Sequence, residues 1–242
     1  MITTRIAAVV VAVAITIGLG ARPASAEWFA DVFAGLSLTQ DHDVKTSDRS
    51  VGPAVYEDVH FDKSLAWGGR VGRYFDAVPF IGLGFDFFRY YPYIAGQSVN
   101  VRGCFLPGGC GTGRGGTGYF ETDVSAISVD LMLRLPLLRS DDAPQGRVQP
   151  YIAIGPPIFV TSITPRDTRQ FHNQDGDTEL SFGVKAAAGV AVQVYKNLAV
   201  FGEYRFTHTS LDFELRDAAL NKMTLRTDLD SHSALVGISA RW

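Results

Sequence analysis

From residue 27 to the last residue, the chain alternates apolar side chains with small or polar ones, in eight runs separated by loops. Successive side chains on a strand point to opposite faces, so such a run has one greasy face and one polar face. The runs fall near 28–40, 61–75, 79–92, 120–138, 150–163, 179–195, 198–211 and 229–242. Each supplies the roughly 9–11 residues that a tilted membrane-crossing strand requires. The sixth run is the clearest. Phe182, Val184, Ala186, Ala188, Val190, Val192 and Val194 share one face, with Ser181, Gly183, Lys185, Ala187, Gly189, Ala191 and Gln193 on the other. The fourth run sets Ile127, Val129, Leu131, Leu133 and Leu135 against Ala126, Ser128, Asp130, Met132 and Arg134.

A water-soluble barrel has the same period, so the solvent has to be read from the polar face. Parity places Asp31, Arg70, Asp86, Asp130, Arg134, Lys185, Glu203, Arg205 and Arg241 on one set of faces, together with many glycines. Small residues and charges of both signs suit a narrow lumen filled by ion pairs, with the apolar face turned to lipid. A secreted ligand-binding barrel needs the reverse, a greasy interior and a charged exterior. The expected fold is therefore all-β: an eight-stranded antiparallel up-and-down transmembrane β-barrel. Closure is required because lipid offers nothing to pair with a free strand edge.

Loop lengths agree. The links at 76–78 and 196–197 are short, whereas those near 41–60, 93–119, 164–178 and 212–228 are long. Such barrels alternate short periplasmic turns with long extracellular loops; only the link at 139–149 is longer than this scheme expects. Aromatic residues gather at both ends of the runs. Trp28, Tyr74, Phe75, Phe80, Tyr151, Tyr195 and Trp242 mark one end, and Phe61, Tyr90, Tyr91, Tyr119, Phe120, Phe206 and Phe213 the other. Two such belts match the two lipid–water interfaces.

The first 26 residues read differently. A basic start ending at Arg5, an apolar run from Ile6 to Gly20 and the small-residue site Ala24-Ser25-Ala26 form a secretory signal peptide. This divides the chain into a signal peptide at 1–26 and a barrel domain at 27–242. Arg5 and Arg22 leave with the signal, so 20 basic and 25 acidic residues remain, a net charge of −5. That balance argues against nucleic acid as a partner. Cys104 and Cys110, in a stretch rich in Gly and Pro, are expected to form a local disulfide in an exported protein. They lack the further ligands a metal site needs.

Several segments resemble the small outer-membrane β-barrel superfamily that includes the OmpA-, OmpX- and OmpW-type proteins. They are Gly69-Arg70-Val71-Gly72-Arg73-Tyr74-Phe75, Pro150-Tyr151-Ile152-Ala153-Ile154-Gly155, Glu203-Tyr204-Arg205-Phe206 and the last strand ending in Trp242. The resemblance implies an outer-membrane location among lipid and lipopolysaccharide, with extracellular loops free to meet a ligand. It also implies that Val236, Ile238, Ala240 and Trp242 form the signal read by the barrel-insertion machinery, with Trp where Phe is usual.

One stretch looks catalytic. Arg205-Phe206-Thr207-His208-Thr209-Ser210 is similar to the Arg-x-x-His-x-Ser motif of outer-membrane lipid A 3-O-deacylases, in which the His is a general base and the Ser a nucleophile. Leu211 stands where that family has Asn, and the nearest Glu, Glu214, is close in sequence where the family's orienting Glu is distant. The other reading of His208 and Ser210 is the polar rim of a strand. Gly108 to Gly118 is glycine-rich without the helix a phosphate loop needs, and Asp175-Gly176-Asp177 lacks the remaining ligands of a calcium loop. No cofactor or metal is expected. Three functions follow in order: a non-catalytic barrel whose loops meet the surroundings, a narrow channel for ions or small hydrophobic solutes, and the lipid A esterase.

Overall fold

The structure, a computed structural model, describes residues 27–48, 52–105, 109–140, 143–166, 176–216 and 222–242. The segment read as a signal peptide lies outside the described residues. Fourteen strands occur among those described, all antiparallel, and no helix. They are β1 (Glu27–Thr39), β2 (His42–Asp48), β3 (Gly52–Val59), β4 (Ser64–Tyr74), β5 (Ile81–Tyr90), β6 (Tyr93–Ile94) and β7 (Ser98–Phe105). They continue with β8 (Gly109–Gly116), β9 (Phe120–Arg134), β10 (Val148–Gly155), β11 (Pro157–Pro165), β12 (Asp177–Tyr195), β13 (Leu198–Arg216) and β14 (Lys222–Arg241).

The ladder runs from β1 through β4, β5, β9, the pair β10 and β11, β12 and β13 to β14, and β14 pairs back onto β1 from Phe29↔Arg241 to Thr39↔Ser231. The sheet is thus closed. β10 and β11 follow one another along the same two neighbours, parted at Pro156. The register crosses that gap without a slip, from Ile154↔Leu131 to Pro157↔Ser128 on β9. Proline has no N–H to give a ladder, which explains an interruption rather than a break.

Burial follows the alternation. Val184, Val190, Val236, Ile238, Leu131, Val129, Ile152 and Leu65 face outward and are exposed. Asp31, Arg70, Asp86, Asp130, Arg134, Lys185, Glu203 and Arg205 are buried inside. On β13 the outward side chains run from Leu198 through Val200 and Tyr204 to Phe206, then change to His208, Ser210, Asp212 and Glu214. On β14 they run from Ala240 through Ile238 and Val236 to Ala234, then change to His232, Asp230, Asp228 and Arg226. An apolar band of about nine residues per strand matches the length that crosses a bilayer core.

The aromatic belts need correction. Trp28, Phe75, Phe80, Tyr195, Tyr91 and Tyr119 are exposed as expected, but Tyr74, Tyr151, Phe61, Tyr90, Phe120 and Phe213 are buried inside. Position along a strand does not set the face; parity does, and five of these lie on the inward parity of their strands, while Phe61 lies between β3 and β4. Inside, two of these rings meet cations: the Arg134 guanidinium stacks 3.6 Å from the Tyr74 centroid, and that of Arg70 lies 5.4 Å from the Tyr151 centroid.

Two links read as long loops contain strands of their own, and the link at 212–228 is largely taken up by the outer ends of β13 and β14. β2 and β3 form a hairpin within 41–60, and β7 and β8 form another within 93–119, clipped by the Cys104–Cys110 disulfide. Their runs are too short to cross a membrane, so a search for membrane-length alternation passes over them. β2 pairs with the top of β14, β3 with β7, and β7 with β8, extending the wall beyond the barrel. Residues 143–149, the described end of the long link, turn back toward the end of the barrel opposite these hairpins. Leu137 pairs with Val148, and Gln149 Nε2 donates to the carbonyls of Gln145 and Gly146 at 3.0 and 2.8 Å. Gln145 and Gln149 thereby reach the Arg134 guanidinium with their Oε1 atoms.

Inward glycines make room for inward rings. A Cβ on Gly189 would lie 2.6 Å from the Gly202 carbonyl oxygen and 2.6 Å from Cζ of Tyr151. Gly189→Val is therefore expected to cost about 1–3 kcal/mol through overpacking. Ala188→Val, one residue along and facing outward, is expected to change stability by less than about 0.5 kcal/mol. Urea unfolding of both variants in lipid vesicles checks the contrast.

Candidate functional site

The interior of the barrel is an ion-pair network. Five acids, Glu27, Asp31, Asp86, Asp130 and Glu203, meet five bases, Arg70, Arg134, Lys185, Arg205 and Arg241. Arg205 lies at its middle. Its Nη1 and Nη2 donate to the two oxygens of Asp86 at 3.2 and 2.9 Å, and its Nε and Nη2 donate to Glu203 Oε1 at 3.0 and 2.7 Å. Such a fork is the geometry at which arginine binds carboxylates best. The guanidinium also sits between Phe33 and Phe88, 4.7 and 4.8 Å from their centroids.

Around it, Arg70 Nε donates to Asp31 Oδ2 at 3.0 Å, and its Nη1 lies 3.0 Å from Glu203 Oε2. Lys185 Nζ lies 2.6 Å from Asp130 Oδ2 and 3.3 Å from Asp86 Oδ1, and donates to Ser128 Oγ at 2.6 Å. Tyr151 OH donates to Glu203 Oε2 at 2.8 Å. Toward the periplasmic mouth Arg134 pairs with Glu27, while Arg134 and Arg241 both donate to Gln149 Oε1, at 3.2 and 2.5 Å. Buried charges survive in a low dielectric only when paired and hydrogen-bonded, and here each has an opposite charge. Among Asp31, Arg70, Arg134, Gln149, Tyr151 and Arg241 the remaining space is about 10 Å³, the lower limit for one water molecule.

All nine charges picked out by parity are in this network. Glu27, Tyr151, Gln149 and Ser128 were not. Glu27 abuts the cleavage motif, ahead of the first run, and the others are uncharged; only their inward parity gives them away.

His208 and Ser210 do stand on the outward face, just above the apolar band, but they face different partners. His208 Nδ1 is 2.5 Å from Asp230 Oδ1, and Asp230 is shared with His42, whose Nε2 lies 3.1 Å from Oδ2. Ser210 Oγ donates to Asp228 Oδ1 at 2.7 Å. Glu214 binds Lys222 Nζ at 2.7 Å, and Leu211 is buried on the inward face. A Ser–His relay needs the hydroxyl to give its proton to the imidazole, and here the serine proton points to a carboxylate. Cys104 and Cys110 are joined across the β7–β8 hairpin. Val236 and Ile238 are exposed on the outward face, and Ala240 and Trp242 are partly so. Asp177, the described end of the weak calcium-loop motif, instead accepts the Glu214 N–H through Oδ2 at 2.8 Å.

A closed antiparallel sheet with a greasy exterior, a charged interior and polar projections at one end defines a β-barrel of the bacterial outer membrane. The chain belongs to the family described as "Outer membrane protein beta-barrel domain", whose model matches residues 11–241. No curated protein sequence matches it. Among solved structures, the outer membrane protein OprG from Pseudomonas aeruginosa is similar at 12% identity and a TM-score of 0.52, covering 89% of this chain and 95% of that one. Neisserial surface protein A is similar at 12% identity and a TM-score of 0.47, over 90% of this chain and 97% of that one. Ail, the attachment invasion locus protein of Yersinia pestis, is similar at 9% identity and a TM-score of 0.41, over 90% and 98%. The protein is located in the outer membrane of the cell.

Proposed function

We propose that residues 27–242 form a single eight-stave barrel, β10 and β11 together making one stave, delivered by a cleaved signal at 1–26. The barrel is a sealed, non-catalytic platform that holds the β2–β3 and β7–β8 hairpins above the outer leaflet. There they meet lipopolysaccharide or an extracellular ligand. The observation that carries this reading is the balanced ion-pair network. Eight strands leave an interior about wide enough for side chains, and this one is filled by five acids, five bases and the rings between them. Val236, Ile238, Ala240 and Trp242 serve as the strand recognised during insertion.

Planar-bilayer recording of the purified protein tests the seal. The expected trace is closed at all voltages, and stable unitary openings favour the channel instead. The esterase reading has its own test. Lipid A from cells with and without the protein is expected to carry the same acyl chains by mass spectrometry, because Ser210 and His208 are engaged by Asp228 and Asp230. Loss of one 3-O-linked chain that depends on the protein and disappears in His208→Ala overturns the non-catalytic assignment.

A further inference from the structure

The β2–β3 hairpin has a slight hold on the barrel wall. β2 meets β14 over four ladder positions, Lys45–Asp48 against Met223–Arg226, and Lys45 stands directly opposite Arg226. Like charges directly opposite one another weaken a ladder. Below that ladder the root of the hairpin is fastened by side chains. Thr227 Oγ1 donates to the Asp43 carbonyl at 3.2 Å. The Gln97 side chain binds both the N–H and the carbonyl of His60, at 3.1 and 2.9 Å.

Histidines gather at this root. The sequence holds five, and the four among the described residues all stand here. His232 lies between Gln40 and Tyr204, 2.6 Å from each. His60 Nδ1, at the end of one leg, is 2.8 Å from Asp41 Oδ1 at the start of the other. Asp230 meets His42 of the hairpin with one oxygen and His208 of the barrel with the other. The His42 contact, at 3.1 Å, involves a buried nitrogen that is not aligned for a hydrogen bond, so its strength depends on charge. Imidazole is the side chain whose charge changes between about pH 5 and 8. An imidazolium attracts a carboxylate that a neutral ring in this pose does not, so proton uptake favours the docked hairpin. That contribution is present in acid and is lost as pH rises. Two imidazoliums on one carboxylate repel each other, but Asp43, Asp58 and Asp228 also face the root and offset this. Against these acids stand Lys45 and Arg226, the latter held by Asp212. We propose that the root is an acid-tightened clasp: Asp230, held from the barrel side by His208, captures His42 and pins the hairpin more firmly in mild acid than at neutral pH. His60 on Asp41, the more exposed pair, ties the two legs together in the same way. The inference goes beyond the proposed platform and does not depend on what the hairpins meet.

Amide hydrogen exchange of the full barrel in lipid nanodiscs tests the clasp, resolved by NMR at about pH 7.5 and about pH 5.5 and corrected for the intrinsic effect of pH. Protection of the β2 amides that face β14 is expected to be about two- to fivefold higher in acid, the size of a partly exposed ion pair. Asp230→Asn keeps the shape without the charge, and His42→Gln keeps a donor that takes up no proton. Each is expected to abolish the pH response while β12 stays as protected as in the parent. Both residues lie above the apolar band, so both variants are expected to insert and fold, which heat-dependent gel mobility checks. Equal protection of β2 at the two pH values in the parent overturns the clasp. So does a pH response that survives both substitutions.

Discussion

Arg205→Met is expected to be among the most damaging single substitutions in the barrel, costing about 3–5 kcal/mol in urea unfolding from lipid vesicles. The arginine is 1% exposed and holds both Asp86 and Glu203. Methionine fills much of the volume but leaves two carboxylates in a site walled by Phe33 and Phe88, with one fewer cation. Asp86 retains Lys185 and Glu203 retains Arg70, so the remaining pairs soften the loss without removing it. Adding Glu203→Gln restores four acids to four bases, and the double variant is expected to recover part of the lost stability. A single variant as stable as the parent would mean that the network contributes nothing to holding the barrel closed.

The second large effect lies on the other face. Val190 sits opposite Gly202 on β13 and Pro150 on β10, within the apolar band, with its side chain outward. Val190→Arg is expected to cost about 2–4 kcal/mol, the depth-dependent penalty for a cation on the lipid face near the midplane. The same arginine at Ser210, above the band and exposed, is expected to change stability by less than about 1 kcal/mol. Heat-dependent mobility on gels and urea midpoints read both variants. Equal tolerance at the two positions contradicts a lipid environment around β12.

The membrane staves were legible because lipid imposes a strict rule. Each stave must be long, closed on both sides and alternate without error, and the sixth run, from Phe182 to Val194, shows this plainly. Most of the nine inward charges were legible for the same reason, since charge within the span has only the lumen to occupy; Arg134 and Arg241, at the ends of β9 and β14, were placed by parity alone. Features outside that rule were harder to read. β2, β3, β7 and β8 are short and lie above the band, where water pairs a free edge and alternation is not enforced. The buried aromatics Tyr74, Tyr90 and Tyr151 carry an outward-belt signature by position and an inward one by parity, and parity prevailed because inside, the Tyr74 and Tyr151 rings meet Arg134 and Arg70, while the Tyr151 and Tyr90 hydroxyls bond Glu203 and Ser231. The partners of His208 and Ser210, Asp230 and Asp228, come from β14, 22 and 18 residues further along the chain, and nothing in the Arg205–Ser210 segment specifies them.

The direction in which the greasy side chains point is the claim on which the account rests. It is tested most directly by single cysteines introduced at Leu131, Val190 and Asp212, each labelled with an environment-sensitive fluorophore in vesicles. The native cysteines are paired and leave no competing thiol among the described residues. Labels at Leu131 and Val190 are expected to be quenched by lipids brominated in the acyl chain and shielded from aqueous iodide, with the reverse at Asp212. Iodide quenching at Leu131 and Val190 as strong as at Asp212 would place the apolar band in water and contradict the membrane barrel.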